Sequence, residues 1–188
     1  MGYRFKNCFV WNCGYIMART FNFIGKSVGA GSEYVNMTNI SQAYTDLVIL
    51  CNLATNAQGV NTNMFLGTGG SIDTGSNYGY YYLGGNGSTM SGGGTNPGIG
   101  WLFSTGPLGS GGSSVPANWM IHVMNYSSTS YKKCYVAYAG TVGTSYPAKV
   151  VQGGYWNNTG AIDCLRFQVQ GSSFTSNSVF SIYGILAE

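Results

Sequence analysis

Acid–base and nucleophilic chemistry at neutral pH needs a proton carrier beside a nucleophile, or two carboxyls flanking a bond, and this chain has few groups for either. Its 188 residues include one histidine, His122, and five acids: Glu33, Asp46, Asp73, Asp163 and Glu188. A hydrolytic triad places a base between a nucleophile and an orienting acid. His122 is the one conventional base and sits in Trp119–Met124, a run with strand character, where a structural hydrogen bond is the plainer role. Glycoside hydrolysis requires a carboxyl pair. Asp46 and Asp163 each open a strand-like run, a place where a short carboxylate caps a turn. No matched pair is legible, and the chain reads as a non-enzyme.

Metal and phosphate chemistry find no better footing. One histidine and scattered cysteines leave no zinc spacing. Asp73-Thr74-Gly75-Ser76-Asn77 offers oxygen ligands but lacks the acid density of a calcium loop, and reads as an Asp/Asn turn. Gly67-Thr68-Gly69-Gly70 and Gly92-Gly93-Gly94 lack the Lys-Ser/Thr of a phosphate loop. No cofactor is expected. Eight basic residues, mostly isolated, make no positive face for nucleic acid. Five cysteines without a CxxC read as free thiols rather than a disulfide framework. Asn-X-Ser/Thr triplets at Asn36, Asn39, Asn86, Asn125 and Asn157 follow from so Asn- and Ser-rich a composition.

Aromatics are the remaining candidates. Tyr78, Tyr80, Tyr81 and Tyr82, with Trp101, Trp119, Tyr131, Tyr155 and Trp156, can stack on sugars or proteins. Alternatively, alternate tyrosines pack inward while the others cover the outside of a sheet.

The elements that position these residues are strands. Charged residues make up 7% of the chain against roughly 25% in an average soluble domain, and Gly, Ser, Thr and Asn supply close to half of it. The residues that fill exposed helix faces are scarce. Strands are expected near Thr20–Val28, Glu33–Thr38, Asp46–Thr55, Asn63–Gly67, Tyr78–Leu83, Gly100–Ser104, Asn118–Met124, Lys133–Ala139, Ala148–Tyr155, Ala161–Val169 and Val179–Ile185. Asp46–Cys51 is continuously apolar after its first residue, the pattern of a strand buried on both sides. Gly67–Asn77, Gly84–Gly100 and Gly106–Ser114 read as long loops, and a short helical turn is expected around Ser41–Thr45. The expected fold is all-β: a two-sheet antiparallel sandwich, jelly-roll-like, with long Gly/Ser-rich loops.

Residues 1–19 read as an N-terminal arm and 20–188 as the sandwich domain. Arg4 and Lys6 before FVWNCGYIMA imitate a signal peptide, but Asn12 and Cys13 interrupt the apolar run and Ala18-Arg19-Thr20 is a poor cleavage site. Met17 is a second possible start. Phe5, Phe9, Trp11 and Tyr15 would expose much apolar surface if left in water, so they are expected to pack on a partner. No run approaches the roughly 20 apolar residues of a membrane span.

Three segments together resemble a domain family of tailed-phage virion structural proteins. Met37–Ile49 (MTNISQAYTDLVI) is similar to an opening of the type F-T-N-I-P-Q-T-Y-T-D-L-V-L, with Met for Phe, Ser for Pro and Ala for Thr. Met124-Asn125-Tyr126, followed by Lys133, resembles I-x-N-Y with a downstream Lys. Trp156–Ile162, with Phe174 and Phe180–Ile185, resembles W-x-x-T-x-A-I and a closing G-S-S-F-S-L-Y-G-I. The resemblance covers about residues 20–186 and carries no catalytic residue. It implies a β-sandwich virion component made in the host cytoplasm. Because the chain shows no fibre shaft or coiled coil, the expectation is a decoration or cement protein on the capsid surface. Its partners would be the major capsid protein and copies of itself, a trimer being favoured. The alternative is a tail- or fibre-associated module that binds a receptor glycan.

Overall fold

A computed structural model describes residues 21–57, 60–85, 89–103, 116–140 and 149–186. The arm residues Phe5, Phe9, Trp11 and Tyr15 lie outside the described residues, as does the expected loop 106–114. The described chain is all β, with no helix; Ser41–Thr45, expected to hold a helical turn, is irregular. Thirteen strands follow in order: β1 (Asn22–Val28), β2 (Tyr34–Met37), β3 (Asp46–Leu53), β4 (Thr62–Thr68), β5 (Ser71–Ile72), β6 (Tyr78–Gly85), β7 (Met90–Gly98), β8 (Trp101–Phe103), β9 (Ala117–Met124), β10 (Lys133–Gly140), β11 (Lys149–Trp156), β12 (Cys164–Val169) and β13 (Val179–Ile185).

They form two antiparallel sheets packed face to face. The larger has eight strands in the order β1-β13-β3-β9-β10-β11-β6-β7; the smaller has β2-β12-β4-β5, with β8 also on β4. Alternation decides what lies between them. Leu47, Ile49, Trp119, Ile121, Val123, Tyr135, Ala137 and Trp156 of the large sheet are buried, as are Val35, Met37, Met64, Leu66, Leu165, Phe167 and Val169 of the small one. Phe167 and Phe180 bridge the layers with ring centroids 4.6 Å apart, and Phe174 meets Phe180 edge-on at 5.3 Å. Burying each large side chain of this kind contributes roughly 1.5–3 kcal/mol.

Several glycines of the sheets lie under aromatic rings. A Cβ on Gly79 would stand 2.5 Å from the Tyr155 ring, one on Gly154 2.5 Å from the Tyr135 ring, and one on Gly184 2.2 Å from the Tyr44 ring. Each ring thus fills the space its glycine leaves open, a known device for stabilising glycine in a strand. The same device corrects one expectation. The stretch Gly84–Gly100 is not a loop throughout: Met90–Gly98 forms β7, paired along β6 with Tyr81 opposite Gly94 and Tyr82 opposite Gly93. Three consecutive glycines carry no strand pattern of their own, and the tyrosines of the neighbouring strand supply the cover. The two-residue β5 is likewise hidden inside the expected loop 67–77.

Candidate functional site

The lone histidine and the acids come first. His122 lies on the outer face of β9, with its side chain 38% exposed and Nε2 2.8 Å from Oδ2 of Asp46, the first residue of β3. The other carboxylate oxygen of Asp46 accepts the Asn125 N–H at 2.8 Å. Asn125 has a φ of +51°, a left-handed turn conformation that asparagine tolerates. This is a strand histidine in a structural hydrogen bond. Asp163 belongs to the other sheet, where it precedes β12 and its carboxylate accepts the Gly70 N–H at 3.0 Å. Asp46 and Asp163 therefore each hold a loop.

Asp73 is a turn clamp. Its carboxylate accepts hydrogen bonds from the Gly75 N–H, the Asn77 side chain and the Trp156 indole at 2.8, 2.9 and 2.8 Å. Burial pushes its pKa up, but these three bonds together outweigh burial and hold it below the ordinary value. Tyr78, stacked on Trp156 at 6.3 Å, sends its hydroxyl to the Asp73 carbonyl at 2.7 Å. Cys51 and Cys164 are buried free thiols and Cys134 is an exposed one. Burial pushes the Cys51 thiol up, and pushes Cys164 up to about 11 with help from Asp163. Among the described residues no group of three His, Cys, Asp or Glu side chains is placed to hold a metal.

The three segments that carry the family resemblance converge at one end of the sandwich. Tyr126 is wholly buried; its hydroxyl reaches the Ser41 carbonyl and its N–H donates to the Thr45 carbonyl at 3.1 Å. Ser127 donates to the Tyr44 carbonyl at 2.7 Å, and Gln42 donates to the Ile162 carbonyl at 2.7 Å. Lys133 is also wholly buried, and its ammonium donates to the carbonyls of Ser128, Tyr131 and Thr159. Tyr44 covers Gly184, next to the Thr45 N–H that donates to the Ile185 carbonyl at 2.8 Å. These polar groups tie the 37–49, 124–133, 156–162 and 180–185 segments into one hydrogen-bonded junction. The motif is thus a device that fixes the fold.

The outer faces of the two sheets are unlike. Over the small sheet, Arg166 donates from Nε to the Asn36 side chain at 2.8 Å and lies 5.0 Å from the Tyr34 ring centroid. Beside it Gln168 donates to Glu33 at 2.8 Å. These side chains are polar and paired; behind them in the same register rows, Asn63 opposite Gln168 is buried with its side-chain oxygen unpaired, and Phe65 opposite Arg166 is buried. Over the large sheet, the register sets Leu50, Met120, Tyr138, Val151 and Leu83 side by side on five adjacent strands. Their exposures run from 42% to 54%, so an unbroken apolar row crosses the middle of the sheet. In the adjacent register row, which contains His122, Tyr81 at 62% and Phe23 at 59% are further exposed rings at opposite ends, and Phe23 meets Tyr183 at 5.7 Å. A groove of about 440 Å³ opens beside the row between Leu50, Asn118, Met120, Tyr138 and Gly140. The row and groove form a contiguous exposed apolar feature, a candidate contact surface.

Sequence reading sorted the aromatics correctly in part. Tyr78, Tyr80, Trp119 and Trp156 are buried, while Tyr81 and Tyr131 face outward. The apolar row was missed. Its one trace was the unbroken run Asp46–Cys51, expected to be buried on both sides; Leu50 is instead 42% exposed, apolar because it belongs to the row. No protein-family model matches this chain, and neither a curated protein nor a solved structure is similar to it. The phage-like resemblance rests on its motif residues alone.

Proposed function

We propose that this chain is a non-enzymatic virion structural protein, a decoration protein that attaches to the outer surface of a capsid and steadies it. The observation that supports this reading is the contrast between the two sheets: one outer face shows paired polar side chains to solvent, the other an apolar row across five strands. A sandwich with one apolar face works against other protein, and a subunit repeated over a lattice needs broad contact surface rather than a reactive pocket. The titratable groups just described act as clamps on loops and turns, in keeping with a structural role. The arm residues Phe5, Phe9, Trp11 and Tyr15 are proposed as the contact with the major capsid protein.

A glycan-binding tip needs an exposed ring beside converging polar side chains. Tyr81, the most exposed ring of the apolar face, has Leu83, Gly94 and Gly153 for neighbours, so that alternative gains nothing from it. The reading is tested on virions that carry the chain. Antibody labelling should decorate the head over its whole surface, and heads stripped of the protein should rupture at lower temperature. Label confined to the tail tip, or heads equally robust without the protein, would refute it.

A further inference from the structure

We infer that the outer face of the eight-stranded sheet is the contact between two copies of this chain, packed face to face about a two-fold axis running along β10 beside Tyr138. The inference shares one premise with the functional reading, that this face meets protein, and adds the identity of the partner.

Area supports a stable pair. With the axis on β10, seven strands of each copy overlap and β1 falls outside; at about 4.8 Å spacing, with four outward rows about 6.7 Å apart, they make a face on the order of 600 Å². Two such faces bury roughly 1,200 Å², at the lower bound of specific, lasting interfaces. Sheets with the same hand of twist pack aligned with about 10 Å between them, as the two layers of a sandwich do.

The face is also its own complement. An axis along β10 reverses the order of strands, so Leu83 of the second copy lies near Leu50, its Val151 near Met120, and the two Tyr138 rings meet at the centre. The groove between Leu50, Met120 and Tyr138 then receives the side chains of Leu83 and Val151 from the second copy. The operation opposes no like charges. His122, paired with Asp46, comes to lie near Gly153 of the second copy, and Lys149 near its Asn118. A foreign partner explains an apolar face equally well, but it gives no reason for a row that matches its own reverse. A three-fold ring needs two different patches on each subunit. The five-residue row is one patch centred on β10, the arrangement of an isologous pair.

The test is sedimentation equilibrium of the full chain at micromolar concentration, with charges introduced at the axis. The wild type should sediment at twice the monomer mass. Tyr138→Glu and Tyr138→Lys, changes at a half-exposed position, should each keep the wild-type circular dichroism spectrum and a cooperative melt, and should sediment as monomers. Their dissociation constants should rise roughly 100-fold or more, since like charges are forced together at the axis. Mixing the two variants should restore a dimer containing one of each, an outcome specific to a two-fold beside this residue. A wild-type monomer, a trimer, or a dimer indifferent to Tyr138→Glu overturns the inference, as does a dimer lost on deleting residues 2–16 with Tyr138 intact. These are solution measurements, so their failure leaves the location of the chain on the virion to be decided by labelling.

Discussion

Replacing Lys133 by methionine removes one ammonium while keeping the aliphatic stem, and so tests what the buried junction contributes. The nitrogen donates to the carbonyls of Ser128, Tyr131 and Thr159, the last two at 2.9 and 3.1 Å, and the side chain is inaccessible to solvent. Hydrogen bonds from a charged donor contribute about 1.5–3 kcal/mol each, which gives roughly 4.5–9 kcal/mol for three. Removing an ammonium from water offsets several kcal/mol of that. The net loss expected for Lys133→Met is about 3–4 kcal/mol, close to what breaking a buried ionic contact typically costs. In a chain of this size each kcal/mol moves the melting temperature by about 2–4 °C, so Tm should fall by roughly 6–16 °C. Scanning calorimetry measures it, with Lys132→Met, a change at the exposed neighbouring lysine, as the control. Hydrogen exchange should quicken selectively in the 125–132 turn. A melting temperature within about 2 °C of wild type would refute the claim that this ammonium organises the junction.

Three further outcomes are expected. Gly154→Ala should destabilise by about 1–3 kcal/mol or more, because its Cβ would meet the Gly79 carbonyl at 2.3 Å as well as the Tyr135 ring, whereas Gly153→Ala, with 3.7 Å to its nearest neighbour, should change denaturation midpoints little. Burial pushes the phenol of Tyr126 up to about 12, and those of Tyr78 and Tyr135 upward as well. A folded pKa above the unfolded value means that stability is complete below about pH 10 and is lost as pH rises toward the folded value, so alkaline unfolding should coincide with a late, cooperative rise in tyrosinate absorbance. In native protein a thiol reagent should modify exposed Cys134 quickly and buried Cys51 and Cys164 only on unfolding; equal rates at all three would contradict the packing.

The strands legible in the sequence were those whose own residues alternate or run apolar. Ala117–Met124 and Val179–Ile185 carry their inward side chains within one segment, and both were found within a residue of their observed ends. β7 was illegible because what makes it a strand, the tyrosines over its glycines, belongs to β6. The structural role of His122 was readable from its strand context, but its partner Asp46 lies 76 residues away and only the register of β3 against β9 brings the two together. The apolar row was hidden for a related reason. Each of five strands contributes one residue to it, and one outward Leu, Met, Tyr or Val is ordinary on any strand. Only the alignment of five strands turns single exposures into a surface.

The ring-over-glycine contacts carry a consequence for how such a chain can vary. At Gly79 with Tyr155, Gly154 with Tyr135 and Gly184 with Tyr44, the absent side chain and the large one make a single steric unit divided between distant positions. Enlarging the glycine collides with the ring, and shrinking the ring uncovers the glycine. Either change alone is penalised. At Gly154 the Gly79 carbonyl, 2.3 Å from an added Cβ, closes even a paired exchange, while at Gly79 and Gly184 a paired exchange that conserves the summed volume is open. Drift at these sites should therefore proceed by coupled steps, and a substitution scan would find two intolerant positions wherever there is one packing constraint. Counting intolerant sites in this protein would overstate the number of independent requirements its fold imposes.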